Sequence, residues 1–474
     1  MSRFAHLIQP DQGQEARTIA LVTKSGFEDW IKALPERERT AALVGGFKGK
    51  PGDLAILSGD KPGEWSVALG VGDKRNIWDL APAAQKLPSG TYRLAGGAAG
   101  SGGLGWLLAQ YRFDRFLTGN EAAGDRVLLV SEPGLILDQI RQAEATAIVR
   151  DLVNMPAADL GPAGIQAAVE ALGSEFEAKV QVTKGHELEL GYPMVHAVGQ
   201  AAEKHRTPRL IELTWGNPKN PAIAIIGKGV AFDTGGLNIK TGSFMRLMKK
   251  DMGGAAHAIA VARLVMEARL PVHLHLVVPA VENAISGNAL RPGDILKSRK
   301  GLTVEIDNTD AEGRLVLGDA ITKAAEAKPE LMIDFATLTG AARVALGPDL
   351  PAMFANDEAL AGDVTVAAND VQDPIWRMPL WDRYDEMLKS DIADMVNSAE
   401  GGMAGAVTAA LFLRRFVPEG TPWLHFDTFA WRPSSTPGRP KGGDAMGARA
   451  VFELLRRRYP HSSTAPGQIG RAHV

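Results

Sequence analysis

Residues 308–315 read Asn-Thr-Asp-Ala-Glu-Gly-Arg-Leu, placing two carboxylates, a glycine and a guanidinium in one short segment. If the segment is extended, Asp310 and Glu312 project from the same face, because side chains alternate across a strand. Carboxylates paired beside a fixed cation suit a site that holds divalent metal and handles an anion. A polar turn with a surface Glu–Arg pair is the plainer alternative, since exposed charge pairs are common and weak. The octapeptide alone leaves both open.

Upstream lies a second loaded segment, Ile225-Ile226-Gly227-Lys228-Gly229-Val230-Ala231-Phe232-Asp233, followed by Lys240 and then Lys249-Lys250-Asp251-Met252. Residues 222–226 form an apolar run of strand type, and the glycines after it read as a loop at the strand's carboxyl end. A second apolar run, Leu331 to Ala336, ends in the same way at Thr337-Leu338-Thr339-Gly340. In open α/β sheets ligands bind at such ends, so several chemically loaded loops can converge on one sheet edge. Lys228 between glycines suggests phosphate binding first. The phosphate-loop pattern fails, however: the first glycine is missing at the required spacing, and Gly229 stands where Ser or Thr is needed.

Taken together, these segments resemble the leucyl aminopeptidase family of dinuclear metallopeptidases, the cytosol aminopeptidases. The spacing from Lys228 through Asp233, Lys240 and Asp251 to Asp310, Glu312 and Arg314 matches the family pattern at every functional position. Arg150 to Ala157 is similar to the segment leading into the family's catalytic domain. Ser390 to Met395, with the small-residue helix near Ala404 to Phe412, is similar to a later one. The resemblance covers roughly residues 145–457.

It implies a metal-dependent aminopeptidase that hydrolyses the N-terminal residue of peptides, preferentially apolar and Leu-like, through a water bridging two metals. Lys228, Asp233, Asp251 and Glu312 would hold the tighter ion. Asp233, Asp310 and Glu312, with the Asp310 carbonyl, would hold the more exchangeable one. Lys240 would stabilise the developing oxyanion, and Arg314 would hold a bicarbonate acting as general base. Met248, Asn308, Ala311, Thr337, Leu338 and Gly340 would contact substrate, Met248 as a specificity wall although buried methionines usually fill gaps. Family members are typically hexamers, so a homohexamer is expected, and Mn or Zn are the expected metals.

The charges agree with this. Asp233, Asp251, Asp310 and Glu312 carry four negative charges, which two divalent ions neutralise. Lys240 and Arg314 then leave a surplus that favours anions. As a ligand Lys228 must be neutral, which at pH 7 costs about 4.6 kcal/mol from a reference pKa near 10.4. A neighbouring dication offsets that cost. Metals about 3.5–4 Å apart form the two-metal arrangement, and the pKa of bound water falls toward about 7.

The elements that must position these residues read as α/β. Residues 1–135 alternate short apolar runs with glycine-rich turns, such as Leu54 to Leu57 and Trp65 to Leu69, and form a small N-terminal α/β domain. Leu137 to Asn154 reads as a helix that Met155-Pro156 ends, so residues 136–155 serve as connector. Residues 156–460 form the larger catalytic α/β domain, a mixed central sheet flanked by helices. The tail 461–474, rich in Ser, Gly and Pro, reads as disordered.

Composition excludes some classes. At 474 residues and 45% hydrophobic content the chain can build two or three domains, and its net charge of −3 advertises no basic surface to nucleic acid. With no cysteine, thiol ligands and a Cys nucleophile are ruled out. No hydrophobic signal core opens the sequence and no apolar run reaches spanning length, so a cytoplasmic protein acting on peptides, away from membranes, is expected. Gly100-Ser101-Gly102-Gly103-Leu104-Gly105 fits a dinucleotide fingerprint literally but lacks its acidic partner, and reads as tight helix packing. His273 and His275 read as one strand face rather than ligands. A narrower dipeptidase, or a DNA-binding or scaffold role known among relatives, are the rival functions.

Overall fold

The computed structural model describes residues 2–119 and 124–461; the tail expected from residue 461 lies outside them apart from His461 itself. The short apolar runs near the amino end become strands. Six of them form a sheet. Five run parallel, and Leu54–Ser58 closes one edge antiparallel to Trp65–Val71. Beneath it the glycine run opens the helix Gly102–Leu108, every residue of which is buried. A Cβ on Gly105 would lie 1.8 Å from the Ile77 carbonyl oxygen, so this glycine serves close packing, as expected.

The long helix runs Pro133–Asn154. It begins earlier than its apolar periodicity, because Pro133 suits the first helical turn, where its missing N–H costs nothing. It stops at Met155, ahead of Pro156.

A second, nine-stranded sheet carries the rest. Its middle is parallel: Trp423–Asp427, Leu331–Ala336, Ala222–Gly227 and His273–Asn283 lie side by side. Antiparallel neighbours, Ala352–Ala355 and Arg209–Trp215, flank them. Middle strands covered on both faces need continuous apolar runs, and Leu331–Ala336 is buried at every position. On one face pack Pro133–Asn154, Pro162–Glu175, Gly253–Glu267 and Ala448–Arg458. On the other pack Pro193–Gly199, Glu312–Ala325 and Gly405–Arg414. His275 lies on the strand face as read, its Nε2 2.9 Å from Glu212 Oε2.

Two local expectations are overturned. The loop after Ile226 shrinks to Lys228, after which the chain resumes as the strand Gly229–Asp233. The cause is length: His273–Asn283 spans 11 residues. Its first half pairs with Ala222–Gly227, and its second half pairs with Gly229–Asp233. The octapeptide is not extended either. Thr309 and Asp310 form a turn, and Glu312 opens the helix Glu312–Ala325. The Asn308 side chain accepts the Asp310 N–H at 2.8 Å, a local bond that favours turns over strands.

Candidate active site

The parallel strands end at one sheet edge. Ala222–Gly227 delivers Lys228, Leu331–Ala336 delivers Thr337, and Trp423–Asp427 delivers Asp427 with Thr428 and Phe429 behind it. Asp233 ends the resumed strand. Asp251 lies in a short helical turn, Met248–Met252, that leads into Gly253–Glu267. The turn at 309–310 and the first turn of Glu312–Ala325 bring in Asp310 and Glu312, a carboxylate in a helix's first turn being favoured by the dipole.

Here the seven predicted metal and catalytic residues divide. Lys228 Nζ bridges Asp251 and Glu312, 2.7 Å from Asp251 Oδ2 and 2.9 Å from Glu312 Oε1. Lys240 Nζ bridges Asp233, at 2.9 Å, and Asp310. Carboxylate oxygens of Asp233, Asp310 and Glu312 lie within 4.8 Å of one another. Arg314 stands apart: it is buried, and its Nη1 donates to the Asn397 carbonyl at 2.7 Å.

Close-packed carboxylates repel, and the pKa shifts record it. Burial and then the charge of Asp233 push Glu312 up to about 8. The same two causes push Asp310 up to about 6. Burial opposes ionisation of Asp251 too, but the ammonium groups of Lys228 and Lys250 override it and hold that carboxyl near about 2. Burial alone would depress Lys228 and Lys240, yet their acidic neighbours raise both above the ordinary lysine range. Burial lowers Arg314 to about 10.

These residues fit a divalent cation. Glu312 Oε2 is buried without a hydrogen-bond partner, and such an atom is costly unless something cationic meets it. Asp233 Oδ1, by contrast, is fixed by the Gly235 N–H at 2.8 Å and Asn283 Nδ2 at 2.9 Å.

A cavity of about 390 Å³ opens beside the cluster. The predicted contacts Met248, Thr337, Leu338 and Gly340 line it; Asn308 and Ala311 lie outside the lining. Asn308 shapes the turn instead, and Ala311 caps the helix start. Sequence reasoning missed Phe244, Lys250, Arg343, Leu350, Asp427 and Phe429, all lining the same cavity. It also missed Asn397, whose Oδ1 accepts the Asp307 and Asn308 N–H groups and whose Nδ2 donates to the Asn308 carbonyl. Lys250 was in view beside Asp251; the others had no local signal.

Comparisons with known proteins identify the family. Residues 147–452 match the cytosol aminopeptidase family, catalytic domain, and residues 12–128 match the M17 aminopeptidase N-terminal domain. A probable cytosol aminopeptidase of Syntrophotalea carbinolica is 42% identical over 368 residues, 74% of this chain and 73% of that protein. One from Geobacter sp. (strain M21) is 36% identical over 453 residues, 87% and 90% of the two chains. The crystal structure of cytosol aminopeptidase from Coxiella burnetii superposes with a TM-score of 0.90 at 41% identity, covering 96% of this chain and 99% of that one. The bottromycin maturation enzyme BotP in complex with Mn gives 0.84 at 30% identity, covering 94% and 100%. By these matches the chain, a two-domain α/β hydrolase, belongs to the cytosol aminopeptidase family.

Proposed function

We propose that this chain is a metal-dependent aminopeptidase that removes apolar, Leu-like residues from peptides with a free N-terminus. The observation that carries the reading is the convergence of Asp233, Asp251, Asp310 and Glu312 around two lysines, with Glu312 Oε2 left without a hydrogen-bond partner. Lys228, Asp233, Asp251 and Glu312 would hold one divalent ion, and Asp233, Asp310 and Glu312 a second, Mn or Zn being the candidates. The Mn bound by BotP supports the choice. Divalent ions supply Lewis-acid activation of water and of the scissile carbonyl.

The chain's own groups do the rest. Thr337 Oγ1 donates to Asp251 Oδ1 at 2.8 Å and orients that carboxylate. Lys240 stands between Asp233 and Asp310, where its ammonium stabilises negative charge developing on the carbonyl oxygen. Arg314 Nε is buried and without a hydrogen-bond partner, a donor that an anion such as bicarbonate would satisfy. Met248, Phe244, Leu338 and Leu350 give the cavity an apolar wall for the N-terminal side chain.

The same reading divides the chain into an N-terminal domain (1–135), a connecting helix (136–155) and a catalytic domain (156–460). It places a homohexamer in the cytoplasm, without membrane or nucleic-acid partners. Among the described residues no helix is long and apolar enough to cross a membrane. The test is hydrolysis of Leu-p-nitroanilide and of matched peptides with free or acetylated N-termini, with and without Mn or Zn. Cleavage of acetylated peptides, or turnover indifferent to chelators, would overturn the reading. A monomeric elution volume in sizing chromatography would remove the hexamer.

A further inference from the structure

Two cations besides Lys228 and Lys240 line the cavity, Lys250 and Arg343. Arg343 lies one turn into the helix Gly340–Leu346, and its guanidinium folds back over that helix's start, Nη2 lying 3.8 Å from where a Cβ on Gly340 would be. Its guanidinium carbon sits 4.9 Å from the centre of the Phe429 ring, and Lys250 Nζ sits 5.5 Å from the same centre. All three side chains line the cavity. Both cations therefore face substrate space across one aromatic ring.

Their counter-charges are already committed. Asp427 also lines the cavity, and its Oδ1 accepts the Leu338 and Thr339 N–H groups while its Oδ2 accepts the Thr339 hydroxyl. Asp349 pairs with Arg432 at 2.6 Å. Asp251 lies 3.4 Å from Lys250 but meets Lys228 more closely, at 2.7 Å. Among the described residues the Arg343 guanidinium forms no ion pair and lies on the face of Phe429. A cation held on an aromatic face keeps its in-plane N–H donors free. When divalent ions neutralise the acidic cluster, Asp427 is left to offset the charges of Lys250 and Arg343 only in part.

We infer that Arg343, backed by Lys250, is a specificity-determining residue that receives a carboxylate of the peptide substrate in this cavity. The inference rests on the aminopeptidase reading of the site and extends its substrates beyond apolar residues to peptides carrying an acidic group close to the scissile bond. That carboxylate comes from an acidic N-terminal side chain or from the free carboxyl end of a dipeptide. The apolar wall takes the methylenes of the same substrate and Arg343 takes its charged end, as a planar guanidinium suits a carboxylate.

The experiment uses two matched pairs on the Mn-loaded enzyme: Glu-Ala-Ala against Gln-Ala-Ala, and Leu-Ala against Leu-Ala-amide. Wild type is compared with Arg343→Gln and Arg343→Lys, all checked for an unchanged unfolding midpoint. The expected result is a preference for the carboxylate member of one pair. That preference shrinks about ten- to a hundredfold in Arg343→Gln, through KM, and is partly restored in Arg343→Lys. The pair that responds names the source of the carboxylate. Ratios equal in wild type and Arg343→Gln for both pairs would overturn the inference while leaving the aminopeptidase intact. Absence of turnover on every peptide would overturn the aminopeptidase reading and the inference together.

Discussion

Gly313 lies directly against Lys228: a Cβ added at 313 would come within 2.5 Å of Lys228 Cε and 2.7 Å of its Nζ. The glycine follows Glu312 on the helix Glu312–Ala325, so helix and lysine are close enough only because residue 313 lacks a side chain. Alanine at an interior helical position usually stabilises by roughly 0.5–1 kcal/mol relative to glycine. At 313 it must instead push the lysine off Asp251 and Glu312. Gly313→Ala should therefore keep a thermal unfolding midpoint close to wild type while losing about tenfold or more in kcat/KM. Unchanged turnover would show that Lys228 has room to yield.

Asp310, Glu312 and Arg314 are neighbours in sequence with separable jobs. Asp310→Ala or Glu312→Ala should abolish hydrolysis with the fold intact and lower the metal content per chain, read by elemental analysis. Arg314→Ala should leave metal content unchanged and slow kcat by about 10²–10⁴-fold, the range for a lost general acid–base contribution. Arg314 shares no ion pair with Glu312 and bonds Asn397 instead, which is why the two effects should separate. Metal loss in Arg314→Ala would merge the roles.

What the sequence disclosed and what it hid divide along physical lines. The strands Ala222–Gly227 and Leu331–Ala336 were legible because strands buried on both faces demand unbroken apolar runs. The cluster from Lys228 to Glu312 was legible because its residue types and spacing resemble a family motif. The extended octapeptide was misread, since nothing local announces that Asn308 bonds its own Asp310 N–H or that Asn397 ties the turn from far along the chain. Gly313 owes its place to a close approach by Lys228 that only the folded chain creates. Arg343 and Phe429 come from separate strand ends, and no spacing rule joins them.

Asn397 holds the turn at 307–308 through three hydrogen bonds, accepting the Asp307 N–H at 2.9 Å and the Asn308 N–H at 3.1 Å and donating to the Asn308 carbonyl at 2.7 Å. Its side chain is fully buried. Asn397→Ala leaves those groups unpaired, at roughly 1–3 kcal/mol for each one shut away from water. The turn that aims Asp310 loosens, so kcat should fall more than KM rises, and urea unfolding should shift to lower concentration. Asn397→Asp offers the same acceptors without the donor, and should recover stability in part. A drop in stability with kcat untouched would make the residue purely structural.

His257, fully buried behind the cluster, uses both ring nitrogens: Nδ1 donates to the Gly253 carbonyl at 2.7 Å and Nε2 accepts the Met446 N–H at 2.9 Å. That pattern requires the neutral ring, and burial holds its pKa below the ordinary value of 6.5. The unfolded chain therefore takes up the proton first as the pH falls. The histidine's contribution is intact above about pH 6.5 and declines below it, by at most about 1.4 kcal/mol per pH unit, until the folded pKa is reached. His425 works in the opposite sense. Burial would lower it, but Asp334 at 2.6 Å raises it, so its contribution is fullest below pH 6.5 and is lost as the pH climbs through its folded value. The two trends partly cancel in the wild type, which makes the difference against a variant the decisive quantity. Chemical unfolding of wild type and His257→Asn between pH 5 and 7.5 should show the variant less stable throughout, with the gap narrowing toward acid. A gap that widens as the pH falls would mean that His257 is charged in the folded protein.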